Sequence, residues 1–315
     1  MMRRLMAVAS LLLFAASCSG AAPRDLAFPG ASTTLITFVF DDGYDTDYLV
    51  ARDVFADQGA VACSAITTDW INTPGYLSSD QIRGLRDAGW EIMAHTATHP
   101  NLKSLAPAQV EDELVRSKAA LEEMGITVKN LVYPYNKSSE SVRGIARAYY
   151  RSGRGGKNEF NRPGSDPYDL RSFTSRQDLA KLKTSIDRAN REHAWMVIYH
   201  HEIDAKITLT DRNGKFRKGE QLMFTPSGAI GRHVRDTWFL SAGSLHFVPI
   251  AGTPRTGDRV VGSVSNATAS IRRVVFNERE SIAELLRHIR THYPAMRIVT
   301  IDQGLDILGA RERGR

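Results

Sequence analysis

Three features of this 315-residue chain predict an α/β fold: a parallel sheet closed into a (β/α) barrel and interrupted by a β-rich insertion. First, apolar strand-like runs alternate with amphipathic helix-like ones over most of the length. Second, three of those strands run out into chemically active side chains, namely Asp41 and Asp42, His95 and His99, and His200 and His201. Several such groups delivered to strand C-terminal ends favour a barrel over an open sheet. Third, the alternation stops between 205 and 275, where short apolar runs are split by Gly, Pro, Asp and Asn and no helical period appears.

Residues 35–40, Leu-Ile-Thr-Phe-Val-Phe, are β-branched and aromatic enough for a strand covered on both faces. Gly43 gives the backbone freedom to turn sharply after it. A helix is expected over 44–58 and a strand over 59–67. Ser78 with Gln81 makes a capping-box pattern opening a helix over 78–88, which Gly89 ends. A strand follows at 90–94. Val110, Leu114, Leu121 and Met124 keep helical spacing over 107–124, closed by Gly125. A short strand at 128–132, a helix at 138–150 and a loop at 151–165, rich in Gly, Arg, Lys and Asn, come next. The spacing then predicts a helix over 178–193 and a strand over 194–199 that runs into the two histidines. After the insertion, a helix at 281–293 and a strand at 297–301 complete the barrel, assigned to 34–204 and 276–310.

The N-terminus has a different character. Arg3 and Arg4 precede an apolar run over 5–16 and then small residues with Cys18, the plan of a secretory signal and too short for a spanning helix. Ala-Ala-Ser-Cys at 15–18 resembles a bacterial lipobox, so residues 1–18 read as a signal that can leave Cys18 lipidated. Residues 19–33 read as a tether. These features predict export to the periplasm or cell envelope, with membrane contact only through that anchor. The other cysteine, Cys63, lies in a strand and reads as a buried thiol, so no disulfide framework is available. The formal charge of +6 is spread along the chain without a long basic run, which suits an acidic envelope surface and is no nucleic-acid signature.

Two adjacent carboxylates at a strand's end can take different tasks, and two histidines four apart can sit on one helix face or on the lips of a tight loop. One Asp with two His makes a facial metal site with open positions. Phe40-Asp41-Asp42-Gly43 and His95-Thr96-Ala97-Thr98-His99 resemble the first two motifs of the NodB-homology polysaccharide deacetylases, in order and at about that family's separation. The resemblance covers roughly 34–204 and 276–305 and implies a distorted (β/α) barrel of the NodB-homology type. It also implies Asp41 as the base for a water, and Asp42, His95 and His99 as ligands of a divalent ion, zinc first, with cobalt or nickel as substitutes. Alignment of Tyr199-His200-His201-Glu202-Ile203 with the family's last motif gives His201, rather than His200, as the general acid.

The third motif departs from the family. Many relatives carry an Arg shortly before Pro-Tyr that orients the catalytic Asp, whereas Leu131-Val132-Tyr133-Pro134-Tyr135 has none. The Tyr-Pro-Tyr form resembles the branch that acts on exported poly-N-acetylglucosamine, and implies a backbone amide from Tyr135 at the oxyanion. Arg151, Arg154 and Asn158 are candidates for the fourth motif and are expected as solvated loop residues. His246, His288 and His292 are left outside the site. The expected function is a metal-dependent deacetylase of an N-acetylglucosamine-containing polymer of envelope or biofilm. An O-acetyl xylan esterase, a small amide or imide hydrolase, and a non-catalytic carbohydrate-binding lipoprotein are the alternatives.

Overall fold

The computed structural model describes residues 33–239 and 242–309. The expected signal, Cys18 and residues 19–32 of the tether lie outside the described residues. Seven parallel strands form the main body: β1 (Leu35–Phe40), β2 (Cys63–Ile66), β3 (Glu91–Ala94), β4 (Asn130–Val132), β5 (Ser152–Lys157), β6 (Leu170–Thr174) and β7 (Trp195–His200). β7 pairs with β1 along its whole length, Leu35 opposite Trp195 through Phe40 opposite His200, and this closes the barrel. On its other edge β1 pairs with β2 only at Val39 and Phe40. The lower half of that edge is taken by β14 (Arg297–Ile298), opposite Leu35 and Ile36. The barrel wall is therefore split at its N-terminal end, and this is its distortion.

Alternation along β1 explains the burial of all six residues. Ile36, Phe38 and Phe40 point outward into the helix layer, where Phe38 meets Phe55 at 5.2 Å between ring centroids and Phe40 meets Trp90 at 5.6 Å. Leu35 and Val39 point into the barrel with Cys63, Met93, Val132 and Trp195. The helices are α1 (Arg52–Ala56), α2 (Ser79–Asp87), α3 (Pro107–Glu123), α4 (Glu140–Ala146), α5 (Leu179–Arg191), α6 (Glu278–His292) and α7 (Ile301–Ile307). Ser78 caps α2 through the reciprocal bonds expected with Gln81. Such a cap is worth about 1 kcal/mol.

Four elements differ from the sequence expectation. The helix expected over 44–58 is a turn followed by a π-helix at Asp47–Ala51 and the short α1. The strand expected over 297–301 stops at Ile298, and α7 begins at once, capped by Thr300 and Gln303. Ile301 and Leu305 of α7 join the barrel's interior cluster and close its N-terminal end. The stretch 151–165 begins not as a loop but as β5. Glycines hid that strand because they lack strand propensity, yet contact demands them. A Cβ on Gly153 would lie 2.1 Å from the Tyr133 hydroxyl, and one on Gly156 would lie 3.0 Å from Asn136 Cβ. β6 has no counterpart in the sequence reading.

The β-rich stretch is a second, closed barrel of six antiparallel strands: β8 (Ala205–Asn213), β9 (Gln221–Thr225), β10 (Ile230–Phe239), β11 (Ala242–Ala251), β12 (Arg259–Gly262) and β13 (Thr268–Asn277), in the order β10-β11-β8-β13-β12-β9. Its core of Ile207, Leu209, Leu222, Phe224, Leu245, Phe247, Val260 and Ile271 is separate from that of the large barrel. It sits at the large barrel's C-terminal mouth. Arg232 forms a two-pronged ion pair with Asp45 at 2.5 and 2.7 Å, the Ile203 N–H donates to Thr46 Oγ1 at 3.1 Å, and Val248 enters the large core. Among the described residues no helix is long and apolar enough to cross a membrane.

Candidate metal centre and active site

The first loop separates its two carboxylates by a backbone turn. Asp41 still follows the strand, its N–H donating to His200 O at 2.9 Å. Asp42 then takes φ 77° and Gly43 the same value. Asp tolerates this left-handed conformation better than most residues. The two side chains thus diverge because the chain turns between them, rather than by the strand alternation expected from sequence.

The second loop brings in His95 and His99. It is a tight loop, with Thr96 at φ 67° and His99 at φ 62°, and not a helix face. Glu113 of α3 holds it from beneath, accepting from the N–H groups of Ala97 and Thr98 at 2.9 Å each and from Thr98 Oγ1 at 2.6 Å. The Thr96 hydroxyl accepts from His99 N at 3.0 Å. His95 Nδ1 lies 2.8 Å from Val132 O. A carbonyl only accepts, so Nδ1 carries the hydrogen and the Nε2 lone pair faces the site.

His95 Nε2 and His99 Nε2 each lie 3.3 Å from Asp42 Oδ1, and the three ligand atoms fall within 4.8 Å of one another. Burial and the neighbouring His95 push His99 below the ordinary imidazole range, which favours its neutral form. Burial opposes ionisation of Asp42, but the imidazoles of His95, His201 and His99 outweigh it and hold the carboxyl below its usual range. Among the described residues Asp42 Oδ1 is buried with no hydrogen-bond partner. Two imidazole nitrogens and a carboxylate oxygen converging on one point make a donor set that suits a first-row divalent ion.

Asp41 belongs to a different network. Its Oδ1 accepts from Arg154 at 2.5 Å, and both side chains are almost fully buried. Arg154 stands on β5, where the sequence reading expected a solvated loop residue. Its guanidinium also donates to Ser172 Oγ at 3.2 Å and to Asn136 Oδ1, and lies 5.1 Å from the ring of Tyr199. The guanidinium missing before Pro134, at the end of β4, is therefore supplied one strand further round the barrel, by β5.

At the end of β7 the two histidines part. His200 points outward, stacked on Phe40 at 5.0 Å, with Nδ1 3.0 Å from Glu278. The His201 ring lies 5.7 Å from that of Tyr199, and its charge acts on both Asp42 and His99. Tyr135, at φ 57° and largely exposed, sets its ring edge-on to His99 at 4.7 Å. Trp70, Tyr76 and Tyr44, which the sequence reading did not single out, continue an aromatic rim: Trp70 lies 5.3 Å from His99 and 4.9 Å from Tyr76, and Tyr44 stacks on Tyr76 at 5.0 Å. The three excluded histidines lie elsewhere, His246 beside Asp204 at 3.4 Å and His288 beside Asp187 at 3.0 Å, with His292 bonded to His288 O.

The parallel barrel thus carries, at its C-terminal mouth, an Asp-His-His donor set that could hold a metal ion and, beside it, an arginine-held carboxylate. Residues 30–151 match the family model described as polysaccharide deacetylase. This stretch, which carries both motifs, is similar to that family. The Bacillus subtilis (strain 168) protein named "Putative polysaccharide deacetylase YxkH" is 28% identical over 127 residues, 40% of this chain and 45% of that protein. The chain thus spans less than half the length of this curated relative. Among solved structures, the deacetylase PplD of Streptococcus pyogenes in complex with acetate is 22% identical over 43% of this chain and 62% of its own, with a TM-score of 0.39. A family 4 carbohydrate esterase from Streptomyces lividans in complex with acetate is 17% identical over 54% and 80%, with a TM-score of 0.41.

Proposed function

We propose that the protein is a metal-dependent polysaccharide deacetylase that removes N-acetyl groups from an N-acetylglucosamine-containing polymer of the envelope or biofilm. The observation that carries this reading is the division of labour between neighbours: Asp42 joins His95 and His99 while Asp41 is held apart by Arg154. Asp42, His95 and His99 would hold zinc or a similar ion, which when bound polarises the acetyl carbonyl and acidifies water. Arg154 fixes Asp41 through Oδ1, so the carboxylate is positioned to take a proton from the attacking water as its oxygen bonds to the carbonyl carbon. His201 delivers a proton to the amide nitrogen as the carbon–nitrogen bond breaks, giving acetate and a free amine. The Tyr135 backbone amide faces the carbonyl oxygen as negative charge develops there. The aromatic rim from Tyr135 through Trp70 to Tyr44 supplies ring faces for sugar stacking.

The experiment is to strip the purified protein of metal, reload it with zinc, cobalt or nickel, and measure acetate released from N-acetylglucosamine oligomers and from O-acetylated xylan. Release from the oligomers that requires metal supports the reading. Release from xylan alone would make it an O-acetyl esterase, and no release by a metal-loaded protein would leave a sugar-binding protein. Export and lipidation at Cys18 belong to the same proposal, and the mass of the mature N-terminus in a bacterial host tests them.

A further inference from the structure

The small barrel concentrates the chain's positive charge. Between 205 and 277 there are eleven Lys and Arg against four Asp and Glu, a net +7, while the whole chain carries +6, so everything else sums to −1. The excess is therefore not spread along the chain, as the absence of a basic run suggests, but segregated by domain. Its four acids are already counted in that +7 and are engaged as follows. Glu220 is bonded to the N–H groups of Arg217, Val264 and Ser265, Asp258 to that of Arg255, and Asp211 to the Thr210 hydroxyl. Among the described residues, Asp236 alone of the four pairs with an arginine or lysine of the barrel, Arg212, at 2.5 Å.

Strand register shows where four of the remaining cations stand. On β8 the outward positions are Lys206, Thr208 and Thr210, since Ile207 and Leu209 point into the core. Thr208 pairs with Arg273 and Thr210 with Ser270 of β13, and Ser270 pairs with Arg259 of β12. Arg259 and Arg273 are exposed, as is Arg272 beside the bulge. The result is an outer face of cations and hydroxyls, with Val275 and Phe276 exposed between Lys206 and Arg273, and no carboxylate among these positions. It begins at the mouth of the large barrel, because Lys206 lies two residues beyond Asp204 and five beyond His201.

Hydrolysis of an N-acetyl group leaves an amine that is protonated near neutral pH. A neutral polymer would thus become cationic beside a barrel of charge +7, and each turnover would drive the strand away. A polymer bearing its own anionic groups meets no such barrier. We propose that the small barrel reads negative charge on the substrate, and that the polymer is an acidic polysaccharide in which N-acetylated sugars alternate with carboxylate-bearing ones. This inference rests on the deacetylase reading for its substrate, but the surface can be tested by binding alone.

The test uses oligosaccharides of alternating glucuronate and N-acetylglucosamine, and the same oligosaccharides after reduction of the carboxylate to an alcohol. Binding by titration calorimetry and acetate release are measured on both, at low and at physiological salt. The expected result is affinity for the acidic form about tenfold tighter at low salt, narrowing as salt rises. Joint substitution Arg259→Ser, Arg272→Ser and Arg273→Ser should bring the two affinities together, whereas the corresponding Arg→Lys set should keep them apart. Tighter acidic binding without acetate release supports the surface and removes the deacetylase reading. Acetate release with equal affinities does the reverse. An affinity difference untouched by the triple Ser set, or binding only to vesicles containing phosphatidylglycerol, overturns the proposal.

Discussion

At the scale of single residues, the Arg154–Asp41 pair decides most. Both side chains are almost fully buried, so Arg154→Gln leaves a carboxylate without its counter-charge. Breaking such a pair costs about 3–5 kcal/mol, to be read from urea unfolding, and turnover should fall with it. The pair was not legible in the sequence. The partners lie 113 residues apart, and Arg154 sits in a run of glycines whose strand character depends on contact with Tyr133 and Asn136. Asp42, His95 and His99 were legible because both motifs carry the chemistry at fixed local spacing. Glu220 gives a second residue-scale prediction. Burial opposes its ionisation, but the donors from Arg217, Ser265 and Val264 prevail and hold its carboxyl at about 2, against an ordinary value near 4.5. A carboxyl lowered on folding stabilises the native state above its unfolded value, and that stability is lost as pH falls through 4.5 toward 2. Glu220→Gln should therefore melt at lower temperature than the parent at neutral pH, and the gap should close as the scan moves into acid.

At the scale of elements, two supports for the site lie outside its motifs. Glu113 ties α3 to the His95–His99 loop through three hydrogen bonds. Supports of this kind are worth about 10–100-fold in metal affinity, so Glu113→Ala should weaken zinc binding by that much in a competition titration. In sequence Glu113 is one charge among several on an amphipathic helix, and only the fold shows that it faces the loop. Arg232 ties the small barrel to Asp45, three residues beyond Asp42. A double-mutant cycle with Arg232→Met and Asp45→Asn should show a coupling of about 0.5–3 kcal/mol in urea unfolding. Purely additive losses would make the contact incidental. The break in helical period announced the small barrel's existence. Its closure could not be read, because pairing of β10 with β9 and β11, and of β8 with β13, depends on long-range register.

At the scale of the molecule, the large barrel carries the candidate site on the C-terminal ends of its strands and the small barrel stands beside that mouth. The parallel barrel was legible because apolar strands ending in polar groups repeat with helices between them. Its split wall was not, since the sharing of one edge of β1 by β14 and β2 depends on long-range register. The central claim is that two adjacent carboxylates have separate tasks. It is tested most directly by measuring bound zinc and acetate release together in Asp41→Asn and Asp42→Asn. The account predicts that Asp41→Asn keeps zinc at the parent's stoichiometry and loses turnover, while Asp42→Asn loses both. Retained turnover in Asp41→Asn, or loss of its zinc, would contradict it.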